Sequence, residues 1–173
     1  DATANKADRN PLTLEELRTY WSIVEKAPGF KGALLRLHLL TGAQRVEQFA
    51  KLLTTDIKDD LIVLLDPKGK PGKAARLNPI PLTLLARNAL KVCAPEGIYA
   101  FSTTGGTTHV AATTLSAWAK EVVGASIPEF QAKRLRSGVE TLLARAKVPK
   151  EVRGRLQSHG VSGVQDSNYN GYD

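Results

Sequence analysis

Hydrophobic residues recur at helical spacing through the first third of the chain. From 14 to 24 they return every three or four positions, behind a capping box formed by Thr13 and Glu16, which predicts a helix of about 14 residues. A second, more apolar helix is predicted from Lys31 to Thr41, and a third, amphipathic one from Arg45 to Leu53. This part of the chain is therefore predicted to be all helical.

The pattern changes in the middle of the chain. A run of consecutive apolar residues over 61–65 precedes a polar Gly/Pro/Lys segment over 66–74, and a second short run follows over 76–82. Strand, loop and strand in this order predict a β-hairpin with a long basic tip. Proline has no amide proton to donate to a ladder, so Pro79 and Pro81 predict a second strand that is short or lies at an edge.

Helical spacing returns in the second half of the chain, after one more short apolar run. That run, 98–102, predicts a short strand ahead of a Thr/Gly-rich loop. Together with the hairpin, the helices predict a mainly α domain with a small antiparallel β-sheet, of the α+β class. The later helices are predicted over 84–92, 113–123, 131–147 and 149–158.

Length and composition fit one compact domain. The chain has 173 residues, of which 42% are hydrophobic, enough to fill a single core. Residues 1–12 are polar and are interpreted as a lead or linker, with the domain itself over 13–173. Because the sequence contains no Met, we interpret it as an excised domain. No apolar run approaches the roughly 18 residues of a membrane span, which argues against a transmembrane role.

Charge and cysteine content bear on the partner and the compartment. The formal net charge is +7 and the pI is about 9.6, which fits an anionic partner, with nucleic acid ahead of an acidic membrane. Only 6% of residues are aromatic, so no stacking platform for single strands is evident and duplex DNA is favoured. The single Cys93 cannot form an internal disulfide, which favours a reducing compartment, the bacterial cytoplasm or nucleoid.

Metal and nucleotide chemistry find no support in the sequence. His38, His109 and His159 are widely separated, and there is neither a His-Glu-x-x-His motif nor a cysteine pair. The basic loop 68–73 lacks phosphate-loop spacing and leads into a strand, so no helix N-terminus faces a phosphate there. We therefore expect neither a metal nor any other cofactor.

An ordered series of basic residues precedes one late tyrosine. Arg45 follows a tight glycine turn at the start of a predicted helix, and Lys68 lies at the predicted hairpin tip. Lys133 and Arg136 are three residues apart, so they are neighbours on one helix face. The series ends with His159 and, ten residues later, Tyr169.

The series resembles the catalytic domain of the tyrosine recombinases, the phage-integrase family. The family's Thr-Gly-x-Arg-x-x-Glu motif resembles the segment that ends here at Arg45 and Glu47, and its hairpin lysine corresponds to Lys68 in Asp-Pro-Lys-Gly-Lys. No single motif would suffice, but the correspondences occur in order. The others are 78–82 with a Val-Pro-Leu strand, 133–136 with the His-x-x-Arg box, 157–160 with Leu-Gly-His, and Tyr169 with the nucleophile.

Two features depart from the family pattern. Lys133 replaces the first histidine of the His-x-x-Arg box, which keeps a cationic donor but removes a group that is a neutral base near pH 7. The lysine is also reminiscent of type IB topoisomerases, which share this fold and chemistry. The chain stops four residues after Tyr169, so we expect this fragment to lack the following helix, and also the family's N-terminal DNA-clamping domain.

The chemistry implied by the resemblance suits these residue types. Attack on a DNA phosphodiester needs cations around the non-bridging oxygens, and guanidinium groups bind phosphate bidentately. Arg45 and Arg136 are the expected clamp, and Lys133 and His159 are expected to donate to the pentavalent phosphate.

The expected nucleophile is Tyr169 and not Tyr172, because ten residues from His159 match the family spacing better than thirteen. Its phenol forms a 3′-phosphotyrosyl link, while Lys68 protonates the departing 5′ oxygen. Since the link stores the bond energy, neither metal nor ATP is required. Residues expected to contact the DNA backbone are Lys70, Lys73, Arg76 and Arg134.

The sequence therefore predicts a site-specific recombinase or integrase that breaks and rejoins duplex DNA. It is expected to act with other protomers on DNA, as a dimer or tetramer, and without a membrane. A type IB topoisomerase-like enzyme that relaxes supercoils is the enzymatic alternative. A non-catalytic DNA-binding protein with this fold is the alternative from another class.

Overall fold

The structure, a computed structural model, describes residues 10–66, 72 and 76–157. Over these residues the chain forms helices and one two-stranded sheet, so the predicted α+β class with a small antiparallel sheet is confirmed. The helices are α1 Leu14–Lys26, α2 Gly29–Leu40, α3 Val46–Phe49, α4 Leu84–Cys93, α5 Ala112–Val123, α6 Ala132–Arg145 and α7 Lys150–Leu156, the 3-10 helices are Thr54–Asp56 and Gly124–Ser126, and the strands are β1 Leu61–Asp66 and β2 Arg76–Pro81.

The first two helices form, with α4 and α5, the apolar body of the domain. The predicted capping box starts α1, because Thr13 Oγ1 accepts from the Glu16 amide and Glu16 Oε1 accepts from the Thr13 amide, both at 3.1 Å. Tyr20 of α1 is fully buried and stacks on Phe130 with ring centroids 5.5 Å apart. α2 lies between α1 and α4 and contributes buried leucines such as Leu35 to the core.

The hairpin pairs β1 with β2 as the sequence predicts. The strands are antiparallel, with Ile62 opposite Ile80 on the buried face and Asp66 opposite Arg76 next to the tip. In this two-stranded sheet each strand is an edge, so Pro79 interrupts no ladder on a second side.

The third predicted helix is much shorter than its apolar spacing indicated. α3 ends at Phe49. The next three amides still bond three or four residues back, but the chain then leaves the helical path because it bonds to a distant segment. The Thr54 amide donates to the Ile98 carbonyl and the Ala100 amide to the Leu52 carbonyl, both at 2.9 Å. The prediction of a helix to position 53 is therefore wrong.

The predicted strand over 98–102 is also wrong. In the described chain this segment makes only an isolated bridge, between Leu53 and Tyr99. The amides of Ile98 and Tyr99 both donate to the Gly106 carbonyl at 3.0 Å. The apolar run is therefore part of a loop that covers the core, and it does not extend the sheet.

The last two helices lie close to their predicted positions. A Cβ added at Gly138 of α6 would lie 2.9 Å from the Leu12 carbonyl oxygen, so glycine permits this close approach. α7 is tied to α6 by an ion pair between Arg153 and Glu140, 3.2 Å long and buried at both ends. Pro149 is the N-cap residue of α7, so the helix begins one residue later than predicted.

Candidate active site

Arg45 ends a tight turn that joins α2 to α3. The backbone is left-handed at Gly42 and Ala43, with φ of +94° and +51°. A Cβ at Gly42 would lie 2.9 Å from Leu156 Cγ, so the turn packs directly on the end of α7. Arg45 is the half-buried N-cap residue of α3. Two residues separate it from Gly42, one more than in Thr-Gly-x-Arg.

The acidic position of the motif needs a correction. The residue three places after Arg45 is Gln48, which is buried and donates from Nε2 to Asp66 Oδ1 at 3.1 Å. Glu47 is exposed, so the inward position belongs to Gln48. Asp66 also accepts from Arg76 Nη2 at 3.0 Å, which links α3 to the base of the hairpin.

Arg136, on α6, bonds to two segments that are distant from it in the sequence, the turn before α3 and the end of α7. Its Nη1 donates to the Ala43 carbonyl at 3.4 Å, and its Nη2 donates to the Gln157 carbonyl. Ala43 belongs to the turn that presents Arg45, and Gln157 caps α7 two residues before His159. The guanidinium therefore lies where the turn, α6 and the end of α7 meet.

Lys133 lies one turn before Arg136 on the same helix and is exposed. Arg76, at the start of β2, is half-exposed while it pairs with Asp66. Both are placed where a solvent-side anion can reach them. Each also makes a further interaction.

Arg134 is buried and bonded within the fold, whereas its neighbour on α6, Lys133, is exposed. The residue is only 8% exposed, and its guanidinium donates to the Asn10 carbonyl at 2.9 Å and to the Pro128 carbonyl at 3.0 Å. It also pairs with the Glu16 carboxylate at 3.1 Å. We therefore assign Arg134 to holding the chain before α1 on α6, and remove it from the DNA-backbone candidates.

Five of the predicted site residues lie outside the described residues. They are Lys68, Lys70, Lys73, His159 and Tyr169. Their assignments therefore remain predictions. What the structure describes is the framework from which they extend, namely the hairpin base and the end of α7.

A buried histidine lies directly beneath the turn. His38 of α2 is 3% exposed, its Nε2 lies 2.7 Å from the Gln44 carbonyl, and its ring contacts Phe49. Because a carbonyl only accepts, Nε2 carries the proton. Burial and, to a smaller extent, the positive charge of Arg136 lower the pKa of His38 to about 4, against the raising effect of that hydrogen bond. His38 is therefore a neutral histidine that supports the site.

The described tyrosines, Tyr20 and Tyr99, are packing residues. Tyr20 is fully buried, and burial raises the pKa of its phenol far above the usual value. Tyr99 is half-buried with its ring 5.2 Å from that of His109. Cys93 is also buried, and burial raises the pKa of its thiol to about 12.

Sequence reasoning missed two glutamines at this site. Gln44 Nε2 donates to the Leu156 carbonyl, and Gln157 Nε2 donates to the Gly42 carbonyl at 3.1 Å. The only signal available was their position, since Gln44 is part of the lengthened turn and Gln157 replaces the Leu of Leu-Gly-His.

Metal-binding and membrane-spanning features are not found in the part of the chain that the structure describes. No group of three or more His, Cys, Asp or Glu side chains there lies close enough together to hold a metal ion. None of the described helices has the length and apolarity needed to cross a bilayer.

Among known proteins, the chain matches solved structures. No family model and no curated protein sequence matches the chain. XerA recombinase superposes with a TM-score of 0.73 at 16% identity, over 94% of this chain and 59% of that one. XerH recombinase bound to difH gives 0.71 at 18% identity, over 92% and 49%. A lambda integrase dimer bound to a COC′ core site gives 0.66 at 20%, over 95% and 48%.

These similarities define the class of fold. The chain has the fold of the tyrosine recombinase catalytic domain, as the motif order predicted. It spans about half to three-fifths of the length of the structures that it matches.

Proposed function

We propose that this domain is the catalytic part of a site-specific DNA recombinase or integrase. The observation that carries the proposal is the position of Arg136, whose guanidinium donates to the main chain on both sides of it. Those two segments carry Arg45 and lead to His159. Arg45 and Arg136, which are far apart in the sequence, thus belong to segments that meet in one small region.

The chemistry proposed there is phosphoryl transfer without a metal. Arg45 and Arg136 hold the non-bridging oxygens of a scissile phosphate, because guanidinium groups stay charged and bind phosphate through paired N–H donors. Lys133, exposed on the same helix as Arg136, donates to the same oxygens as negative charge builds up on the pentavalent phosphate. His159 supplies a further donor.

The covalent step is assigned to the segment after α7. Tyr169 releases its proton to solvent and attacks phosphorus as the phenolate, a phosphorus–oxygen bond forms, and the bond to the 5′ oxygen breaks. Lys68 delivers a proton to that leaving oxygen. Rejoining reverses the step, when a 5′ hydroxyl attacks the phosphotyrosine and the tyrosine leaves.

Duplex DNA is the proposed partner. The chain carries a net charge of +7, and an electrostatic attraction to phosphate follows from it. XerH and lambda integrase were solved on DNA, the latter as a dimer and as a tetramer on a Holliday junction. By analogy, we propose that several copies of this chain act together on DNA.

The test is covalent capture on nicked duplex substrates that lose the short 5′ strand after cleavage. Because the target site is unidentified, the substrates form a library with a randomised core. A denaturation-resistant protein–DNA band is expected from the wild-type protein and from Tyr172→Phe, and none from Tyr169→Phe, which should still bind DNA. No band from the wild type, with DNA bound, would favour the non-catalytic alternative. Relaxation of a supercoiled plasmid without strand exchange would favour the topoisomerase-like one.

A further inference from the structure

Two buried glutamines join the turn that presents Arg45 to the end of α7, and each bonds to the main chain of the other's segment. Gln44 Nε2 donates to the Leu156 carbonyl, while Gln157 Nε2 donates to the Gly42 carbonyl at 3.1 Å. Each residue is 1% exposed. We call this reciprocal pair, Gln44 and Gln157, the carboxamide clasp.

The surrounding carbonyls settle the orientation of both side chains. Gln44 Nε2 also donates to the Thr41 carbonyl at 2.7 Å, and Gln157 Nε2 to the Arg136 carbonyl at 3.2 Å. Because carbonyl oxygens only accept, an atom beside two of them must be the nitrogen. The Oε1 atoms of both glutamines have no hydrogen-bond partner in the described structure. The clasp therefore acts through its N–H donors alone.

The clasp lies between the site residues and not among them. Its bonds end on main-chain atoms of the turn, of α6 and of α7, next to the two carbonyls that Arg136 contacts. His38 holds the Gln44 carbonyl from the other side at 2.7 Å. These bonds specify a relative position of the three segments.

Both glutamines of the clasp lie where this chain departs from the family motifs, Gln44 in the Thr-Gly-x-Arg segment and Gln157 at the Leu of Leu-Gly-His. Gln44 belongs to a turn that is one residue longer than Thr-Gly-x-Arg. A longer turn has more accessible conformations, so its path needs additional bonds to be unique. The Gln44 donation to Leu156 and the Gln157 donation to Gly42 supply such bonds from outside the turn.

We propose that Gln44 and Gln157 are positioning residues that fix the Arg45 turn relative to the end of α7 leading to His159. The inference rests on the proposed function, since it assigns Arg45 and His159 to one phosphate. Loss of the clasp displaces these groups without removing any of them. A displacement of about 1 Å lowers the rate of a reaction that needs aligned groups by about a hundredfold. DNA affinity is preserved, because other phosphate contacts supply it.

The experiment compares Gln44→Met, Gln157→Met and the double variant with the wild type. Methionine keeps the length of the side chain and removes the donors. Single-turnover cleavage of a captured library substrate should slow by about 10- to 100-fold in each single variant, with DNA affinity within about twofold. The double variant should be about as slow as the slower single variant, because the two residues act as one unit.

Amide hydrogen exchange on the DNA-free protein tests the clasp independently of activity. The Ala43 amide donates to the His38 carbonyl, and the Gln157 amide to the Arg153 carbonyl. Gln157→Met should speed exchange at Ala43, and Gln44→Met at Gln157, each about tenfold, the effect of one lost buried hydrogen bond. Loosening confined to the mutated segment would overturn the proposal. If the wild type cleaves nothing, exchange alone decides whether the clasp couples the segments, and the proposed function fails separately.

Arg36→Met is the matched control. Arg36 Nη1 donates to the Val24 and Ala27 carbonyls at 2.9 and 2.7 Å, so it clamps the main chain at the end of α1 and not at the site. This variant should lose stability while the cleavage rate and the exchange at Ala43 and Gln157 stay unchanged. Equal slowing of cleavage by Arg36→Met would mean that any loss of a buried clamp has this effect, which would overturn a specific role for the clasp.

Discussion

Two regions of the domain are held together by different forces. One is the apolar body, formed by α1, residues 29–37 of α2, α4 and α5. The other is the polar junction, formed by residues 38–48, 136–140 and 153–157. In the body the buried residues are mainly leucine, alanine and valine, and burial of apolar area has no preferred direction. In the junction, histidine, glutamine and arginine side chains bond mainly to main-chain carbonyls, and the buried Glu140 carboxylate accepts from Arg153. Hydrogen bonds are directional, so those of the junction fix the relative positions of its segments, which apolar packing in the body does not do.

This difference suits the proposed chemistry. A phosphate clamp needs guanidinium groups in fixed places, and bonds to main-chain carbonyls transmit those places from one segment to another. The same bonds make the junction sensitive, because removing one partner leaves a buried polar group unsatisfied. Substitutions should therefore have larger consequences in the junction than in the body.

The largest effect is expected at the buried ion pair. Arg153→Met should lower the free energy of unfolding by about 3–5 kcal/mol, because it leaves the Glu140 carboxylate without its cation in a buried site. Chemical denaturation measures the loss. The double variant Arg153→Met/Glu140→Leu should regain part of it, and a double variant less stable than Arg153→Met would show that the pair is not the cause.

A pH effect of about 3 kcal/mol is expected at His38. Its pKa is about 4 in the folded protein against 6.5 for the free side chain, so the unfolded chain binds the extra proton between these values. Stability should be complete above pH 6.5, fall as the pH decreases to 4, and level off below, by about 3 kcal/mol in all. Denaturation of wild type and His38→Gln across this range isolates the contribution. If the free energy of unfolding changed with pH equally in the two proteins, the pKa of His38 would be the same in the folded and the unfolded chain.

A loss of about a hundredfold in cleavage rate is expected for Lys133→Ala, since that is the effect of removing one donor to a developing oxyanion. Because Lys133 is exposed on α6, the unfolding free energy should be almost unchanged. Lys133→His should keep much of the rate. Wild-type cleavage by Lys133→Ala would remove this residue from the proposed site.

The smallest effect is expected for a shape-conserving change in the body. Leu35→Met should cost less than about 1.5 kcal/mol of stability, because a volume-conserving apolar swap repacks in a core. Leu35 is fully buried in α2, and cleavage should be unaffected. A slowing as large as that expected from Gln44→Met would erase the contrast between body and junction.

The sequence by itself determined the elements that depend on local chemistry and periodicity. The Thr13 capping box, the α1 and α6 spans and the existence of the hairpin follow from caps, spacing and turn residues within a few positions of one another. The fold class also followed, because the order of Arg45 and Arg136 with the later motif residues is visible along the chain.

The tertiary structure decided whatever depends on partners far away in sequence. α3 ends early because Leu52 and Thr54 bond to the 98–100 segment, and Arg134 is buried because it reaches the chain before α1. The bonds of the clasp span 112 and 115 positions. A glutamine that donates to so distant a carbonyl belongs to no hydrophobic periodicity and to no sequence motif. Its role is defined only when folding brings that carbonyl within reach.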